Sequence, residues 1–128
     1  MGLDFRRWDW RKSTLIRRGE IYWVNLDPTL GSEIKKTRPA LVISNDQNNQ
    51  FADTVTVLPI TSSTKSLYPF EAPVAGGTGG LKENGKIKTN QIRTVDKRRL
   101  SSRPLGAPVD SQTLQKAEKA LSLHLALH

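Results

Sequence analysis

The run Ile21-Tyr22-Trp23-Val24-Asn25-Leu26, the linker Asp27-Pro28-Thr29-Leu30-Gly31-Ser32-Glu33-Ile34-Lys35-Lys36-Thr37-Arg38-Pro39 and the run Ala40-Leu41-Val42-Ile43-Ser44 that follows it decide the fold. Two strand-like stretches, 21–26 and 40–44, enclose a segment punctuated by Pro28, Gly31 and Pro39 that carries Glu33, Lys35, Lys36 and Arg38. Connections held between strands are where binding and catalytic groups concentrate. Charge beside rigid turns points to an active site here.

Working outward, further short strands are expected at 54–60, 70–74 and 87–95, each bounded by turn residues, a spacing that predicts a small antiparallel barrel or sheet. Thr54-Val55-Thr56-Val57-Leu58-Pro59-Ile60 puts apolar residues on both faces and reads as buried on both. Ala75-Gly76-Gly77-Thr78-Gly79-Gly80 reads as a flexible hairpin loop, because glycine imposes little backbone preference and neither a Gly-Lys-Ser/Thr motif nor a dinucleotide fingerprint is present. One helix is expected after Pro108-Val109, capped by Asp110 or Ser111, with a stripe of Leu114, Ala117, Leu121 and Leu125 that packs on the sheet or on a second subunit. The fold class is therefore mainly β, with a C-terminal helix.

A chain of 128 residues has room for one compact domain. That domain is assigned to residues 17–128. Residues 1–16, with Phe5, Trp8 and Trp10 among charges, read as an extension: either a basic-aromatic arm for stacking on RNA bases or a frayed terminus, the latter preferred. Twenty Lys and Arg against 12 Asp and Glu give a net charge of +8, which favours a polyanionic partner, nucleic acid first, although ordinary small domains also carry such charge. Half of the excess lies ahead of Gly19. The absence of cysteine rules out disulfides and thiolate metal sites, and His124 and His128 read as surface or packing residues, so no metal or cofactor is expected. No apolar run approaches the ~18 residues of a membrane span and no secretory signal is apparent, so a cytoplasmic protein without a membrane partner is expected.

The Gly-Glu-Ile-Tyr-Trp strand at Gly19–Trp23, the Asp-Pro-Thr-x-Gly-x-Glu loop at Asp27–Glu33 and Thr37-Arg38-Pro39-Ala40 resemble the start of the MazF/PemK (Kid-type) toxin family. So do Pro59-Ile60-Thr61-Ser62 with Tyr68-Pro69-Phe70-Glu71, and Gln91-Ile92-Arg93-Thr94-Val95-Asp96, in the same order. Several motifs in fixed order are far more specific than one short motif. The resemblance implies an SH3-like antiparallel β-barrel of the CcdB/MazF type, usually a homodimer. It also implies metal-independent cleavage of single-stranded RNA, typically mRNA, by 2′-hydroxyl attack, leaving a 2′,3′-cyclic phosphate and a 5′-hydroxyl. The implied regulator is an acidic antitoxin of the MazE/PemI type. Two alternatives remain open: a CcdB-like gyrase-binding toxin and a barrel that binds RNA without cutting it.

Arg38 is the first candidate catalytic residue, because a guanidinium is a planar, permanently charged fork matched to phosphate. Its other reading is a rim salt bridge to Glu33 or Asp27. Thr61 and Ser62 stand at a strand end, where hydroxyls either donate to a phosphate oxygen or cap their own turn; the resemblance favours the first for Thr61. Glu33 is read either as the general base or as the group that orients Arg38. Gln91 matches an RNA-contacting position, and Lys36, Lys88, Asn90 and Arg93 are further substrate-binding candidates. Lys88 and Asn90 stand where one branch of the family has an Arg-x-Asp acid–base pair, and the amide of Asn90 cannot act as a base. Lys97-Arg98-Arg99 would extend the RNA surface or form a solvated charged turn.

Overall fold

The computed structural model describes residues 16–127. Apolar residues on both faces of the central strands give the sheet two cores. The strands are β1 (Ile21–Asn25), β2 (Thr37–Val42), β3 (Thr54–Thr61), β4 (Glu71–Val74), β5 (Gly85–Lys88) and β6 (Arg93–Asp96); the helices are α1 (Asp46–Phe51) and α2 (Ser111–Leu125). All ladders are antiparallel in the order β1-β2-β3-β5-β4. The edge of β3 away from β2 is shared: β6 pairs its first half, from Thr54↔Asp96 to Val57↔Arg93, and β5 its end, at Ile60↔Ile87 and Thr61↔Lys86. Beyond β6 the chain runs along the free edge of β1, bridging Val24 to Leu100 and donating from Ser101 N to Trp23 O and from Leu105 N to Ile21 O. The sheet curls towards a barrel joined on that side by one bridge in place of a full ladder.

Tyr22, Val24, Leu26, Ala40, Val42, Val55, Val57 and Val95 fill the inside of this curl together with Ile16, which is buried. Ile21, Leu41, Leu58, Ile60 and Ile87 fill the opposite side under Ala117 and Ala120 of α2. The expected burial of 54–60 on both faces is thus met by two different cores. Asp110 caps α2, accepting from Thr113 N at 2.7 Å. Leu114 and Leu121 of the anticipated stripe pack on the core, while Leu125 is exposed at the helix end. Residues 1–15 of the anticipated extension lie outside the described residues.

Three local differences from expectation have physical causes. The single strand anticipated over 87–95 is split by a 3₁₀ turn at Thr89–Gln91. Ile43 N donates to Thr56 O, so by alternation Thr56, Leu58 and Ile60 turn their backbone groups to β2 and Pro59 turns to the other edge. Lacking an N–H, Pro59 offers that edge no donor at the place where β6 ends and β5 begins. Helix α1 has no apolar stripe to announce it; Asn45 caps it, accepting from Asn48 N at 2.7 Å, and buried Asn49 ties it to Ser44 O at 2.9 Å. The glycine loop is packed at its far end: a Cβ on Gly80 (φ +89°) would stand 2.3 Å from Leu105 O. There glycine permits close backbone approach.

Candidate active site

The same alternation places the cleft. Val42 N donates to Glu20 O, so Val42, Ala40 and Arg38 face β1 with their backbone groups, and Pro39 faces β3 opposite Ile60. Pro39 has no hydrogen to donate, and the β2–β3 ladder stops at Ala40↔Pro59. Continued two places, its register would set Arg38 directly across from Thr61, with both side chains on one face. The unzipped end opens into a cleft of about 720 Å³ lined by Trp23, Arg38, Thr61, Ser62 and Arg103, among others.

Arg38 is half-buried; its Nε donates to Lys35 O at 3.2 Å, and among the described residues its terminal nitrogens have no other partner. Thr61 Oγ1 is buried and, among the described residues, makes no hydrogen bond. Such an unpaired hydroxyl destabilises a fold by about 1–3 kcal/mol and calls for a reason.

The other candidates lie elsewhere. Glu33, Asn90, Gln91 and Arg93 line a second depression of about 730 Å³ with Pro28 and Leu30. Glu33 Oε1 accepts from Leu30 N at 2.6 Å, Gln91 Oε1 from Ile34 N at 3.4 Å, and Arg93 Nη1 donates to Leu26 O at 2.7 Å. Arg99 adds Nη1 bonds to Asn25 O and Asp27 O. The β1–β2 loop, with its cis Asp27–Pro28 peptide, is thus held by its own carboxylate and by two arginines. Lys36 lines neither depression; it is exposed, sits at φ +69° and donates its backbone N–H to Asp27 Oδ1 at 3.1 Å. Arg98 pairs with Asp96 at 2.9 Å and Lys97 is buried, so the basic triplet is largely engaged within the fold.

Lys88 also points inward. Its Nζ is 2.5 Å from Glu71 Oε2, and Lys86 Nζ is 3.2 Å from Oε1 of the same fully buried carboxylate. Burial pushes the Glu71 pKa up, but bonds from Lys88, the Tyr68 N–H and Lys86 outweigh it and hold the carboxyl below its ordinary value. Sequence reasoning passed over Trp23 and Lys86. Trp23 is 47 % exposed among buried strand neighbours, and a large exposed aromatic on an alternating strand was the available signal. Among the described residues no group of three or more His, Cys, Asp or Glu is arranged to hold a metal ion.

A small antiparallel sheet unzipped beside an arginine and a buried hydroxyl that makes no hydrogen bond among the described residues is a candidate anion-binding cleft. The model of the PemK-like, MazF-like toxins of type II toxin–antitoxin systems matches residues 17–125. Endoribonuclease MazF9 of Mycobacterium tuberculosis is 42% identical over 118 residues, covering 88% of this chain and 98% of its own. Endoribonuclease EndoA of Bacillus subtilis is 35% identical over 114 residues, covering 88% and 97%. A mycobacterial endoribonuclease solved in complex with its cognate antitoxin superposes with a TM-score of 0.72 at 25% identity, covering 88% and 97%. The chain belongs to the PemK-like, MazF-like toxin family.

Proposed function

We propose that this chain is a sequence-specific, metal-independent endoribonuclease that cuts single-stranded RNA in the cleft at the open end of β2 and β3. The observation that carries the reading is one cleft that holds both Arg38, whose terminal nitrogens make no hydrogen bond among the described residues, and Thr61, whose buried hydroxyl makes none there either. The 2′-hydroxyl loses its proton and attacks the adjacent phosphorus, and the 5′ oxygen leaves and gains a proton. Charge gathers on the non-bridging oxygens in between, where preorganised donors act most strongly. Arg38 supplies positive charge to those oxygens, the role for which a planar guanidinium fork is suited. Thr61 rotates about χ1 to bring its hydroxyl to the phosphate, and since that hydroxyl has no partner in the described residues, the rotation breaks no bond.

Glu33 fits the orienting reading better than the general-base reading. It lines the other depression and holds Leu30 N, within the loop whose Lys35 carbonyl receives Arg38. That second depression, with Asn90, Gln91 and Arg93 on its wall, is the proposed site for flanking nucleotides; Ser62 adds a hydroxyl in the cleft, and exposed Lys36 adds charge on the β1–β2 loop. The 2.5 Å pair with Glu71 leaves Lys88 a smaller share of RNA contact.

The curated relatives are endoribonucleases, which supports this reading over the gyrase-binding and non-catalytic ones. By the same extension the chain acts in the cytoplasm as a homodimer and is restrained by an acidic antitoxin, as the charge of +8 suits. No helix among the described residues is long and apolar enough to cross a membrane.

The test is incubation with long single-stranded RNA in EDTA, with mapping of the ends. Discrete cuts leaving 5′-hydroxyls, abolished in Arg38→Ala, support the proposal. Undiminished cutting by a folded Arg38→Ala chain overturns the assignment of Arg38, and no cutting by the parent overturns the endoribonuclease reading.

A further inference from the structure

The β3–β4 loop begins at Ser62, one wall of the cleft, and is exposed from there to Pro69. Pro69 fixes the backbone at the far end of the loop, but no proline or glycine fixes residues 62–66, and Ser66 sits at φ +46°, a conformation that a residue with a Cβ holds only when the surroundings impose it. One buried residue supplies that constraint. Lys86 Nζ lies 2.8 Å from Lys65 O, 2.8 Å from Ser66 O and 3.2 Å from Glu71 Oε1. An ammonium has three donors and no acceptor, so these three bonds saturate it.

The same residue pairs with Thr61 through its backbone. The span from Thr61 to Ser66 is therefore tied at both ends to Lys86, once by the ladder and once by the side chain. Glu71 anchors the anchor: its side chain is fully buried, and Lys88 and the Tyr68 N–H, at 2.5 and 3.0 Å, keep it ionised. A carboxylate fixed this firmly pins the ammonium, and the ammonium pins the loop.

We propose that Lys86 is a positioning residue that clamps residues 62–66 and so holds Thr61 and Ser62 in place at the cleft. The catalytic half of this inference rests on the endoribonuclease reading; the clamp itself does not. Lys88 shares the buried carboxylate but makes no bond to the loop among the described residues, which separates loop clamping from support of the fold.

Exposed Lys65 offers a direct readout, because trypsin cuts after it only when the loop can open into an extended segment. Limited trypsinolysis of the folded chain, followed by mass spectrometry, is run beside steady-state cleavage of an oligoribonucleotide. Lys86→Met keeps the stem and removes the donors, and it is expected to speed the cut after Lys65 about tenfold by local opening. It should also lower kcat about tenfold while KM stays within about twofold, since misplaced groups act on the transition state. Lys86→Arg, with donors restored, should return both readouts towards the parent, and Lys88→Met, which loosens Glu71 but leaves the Lys86 bonds to the loop in place, should speed the tryptic cut clearly less than Lys86→Met does. If Lys86→Met does not fold, the double change Lys86→Met with Glu71→Gln, which removes the buried charge as well, is read in the same way.

A parental tryptic rate in Lys86→Met, or equal acceleration in Lys88→Met, overturns the clamp. Acceleration with kcat unchanged overturns the positioning role. A parent that cuts no RNA overturns the endoribonuclease reading, and the tryptic rates still decide the clamp.

Discussion

Replacing Thr61 by Val should make the protein more stable and nearly inactive, and the two effects come from one atom. Valine reproduces the shape of threonine and lacks only the hydroxyl, which in this structure is buried without a partner among the described residues. An unsatisfied buried hydroxyl destabilises by about 1–3 kcal/mol, so its removal should return about 1 kcal/mol at the lower end of that range. For a domain of this size that is a rise of about 4 °C in Tm. The same change removes a donor from the developing phosphorane charge, a loss of about 10²- to 10³-fold in kcat by comparison with other such donors. Thermal unfolding monitored by circular dichroism and single-turnover cleavage of one oligoribonucleotide measure both on the same preparation. A Thr61→Val chain that melts lower than the parent would show that the hydroxyl is satisfied in solution. One that melts higher and still cuts at the parental rate would remove Thr61 from the chemistry.

Glu33→Gln keeps an acceptor for Leu30 N and should hold kcat within about fivefold of the parent, whereas Glu33→Ala frees the loop and should lower it about tenfold or more; a collapse in Glu33→Gln with loss of the acidic limb of the pH–rate profile would instead establish a general base. Gly80→Ala forces a Cβ against Leu105 O at positive φ and should destabilise by about 3 kcal/mol in urea unfolding; an unchanged midpoint would refute the close approach. The Glu71 carboxyl is held below its ordinary value of 4.5, so it adds stability that is fully present above that pH and lost as pH falls through the lower folded value. Urea midpoints measured from about pH 6 down to about pH 3 should decline below about 4.5, and Glu71→Gln should flatten that decline.

The strand-like runs at 21–26, 40–44, 54–60 and 70–74 and the C-terminal helix were legible because alternation, turn residues and caps act locally, and Arg38 and Thr61 stood out as separate candidates because each lies near a strand end; the order of the strands in the sheet was not. The division of 87–95 into β5 and β6 was not, because its cause is Pro59 on a different strand. The same holds for the charged residues. Arg93, Arg99 and Lys88 read as contacts for a polyanion until the fold brings Leu26 O, Asp27 O and the Glu71 carboxylate to them. Charge is visible in a sequence, but the acceptor that uses it is usually far away along the chain. Helix α1 escaped because its polar residues are ordered by a cap and a buried amide, without an apolar face.

The absent hydrogen on Pro39 bears on how this chain can change. Any other residue at position 39 brings an N–H opposite Ile60 and, with it, the means for β2 and β3 to continue closing past Ala40↔Pro59. Substitution there moves the molecule towards a more complete sheet, which is the direction that favours folding. The opening is thus kept by a single covalent ring, and a gain in backbone bonding at that one position would come as a loss of the space in which RNA is proposed to lie.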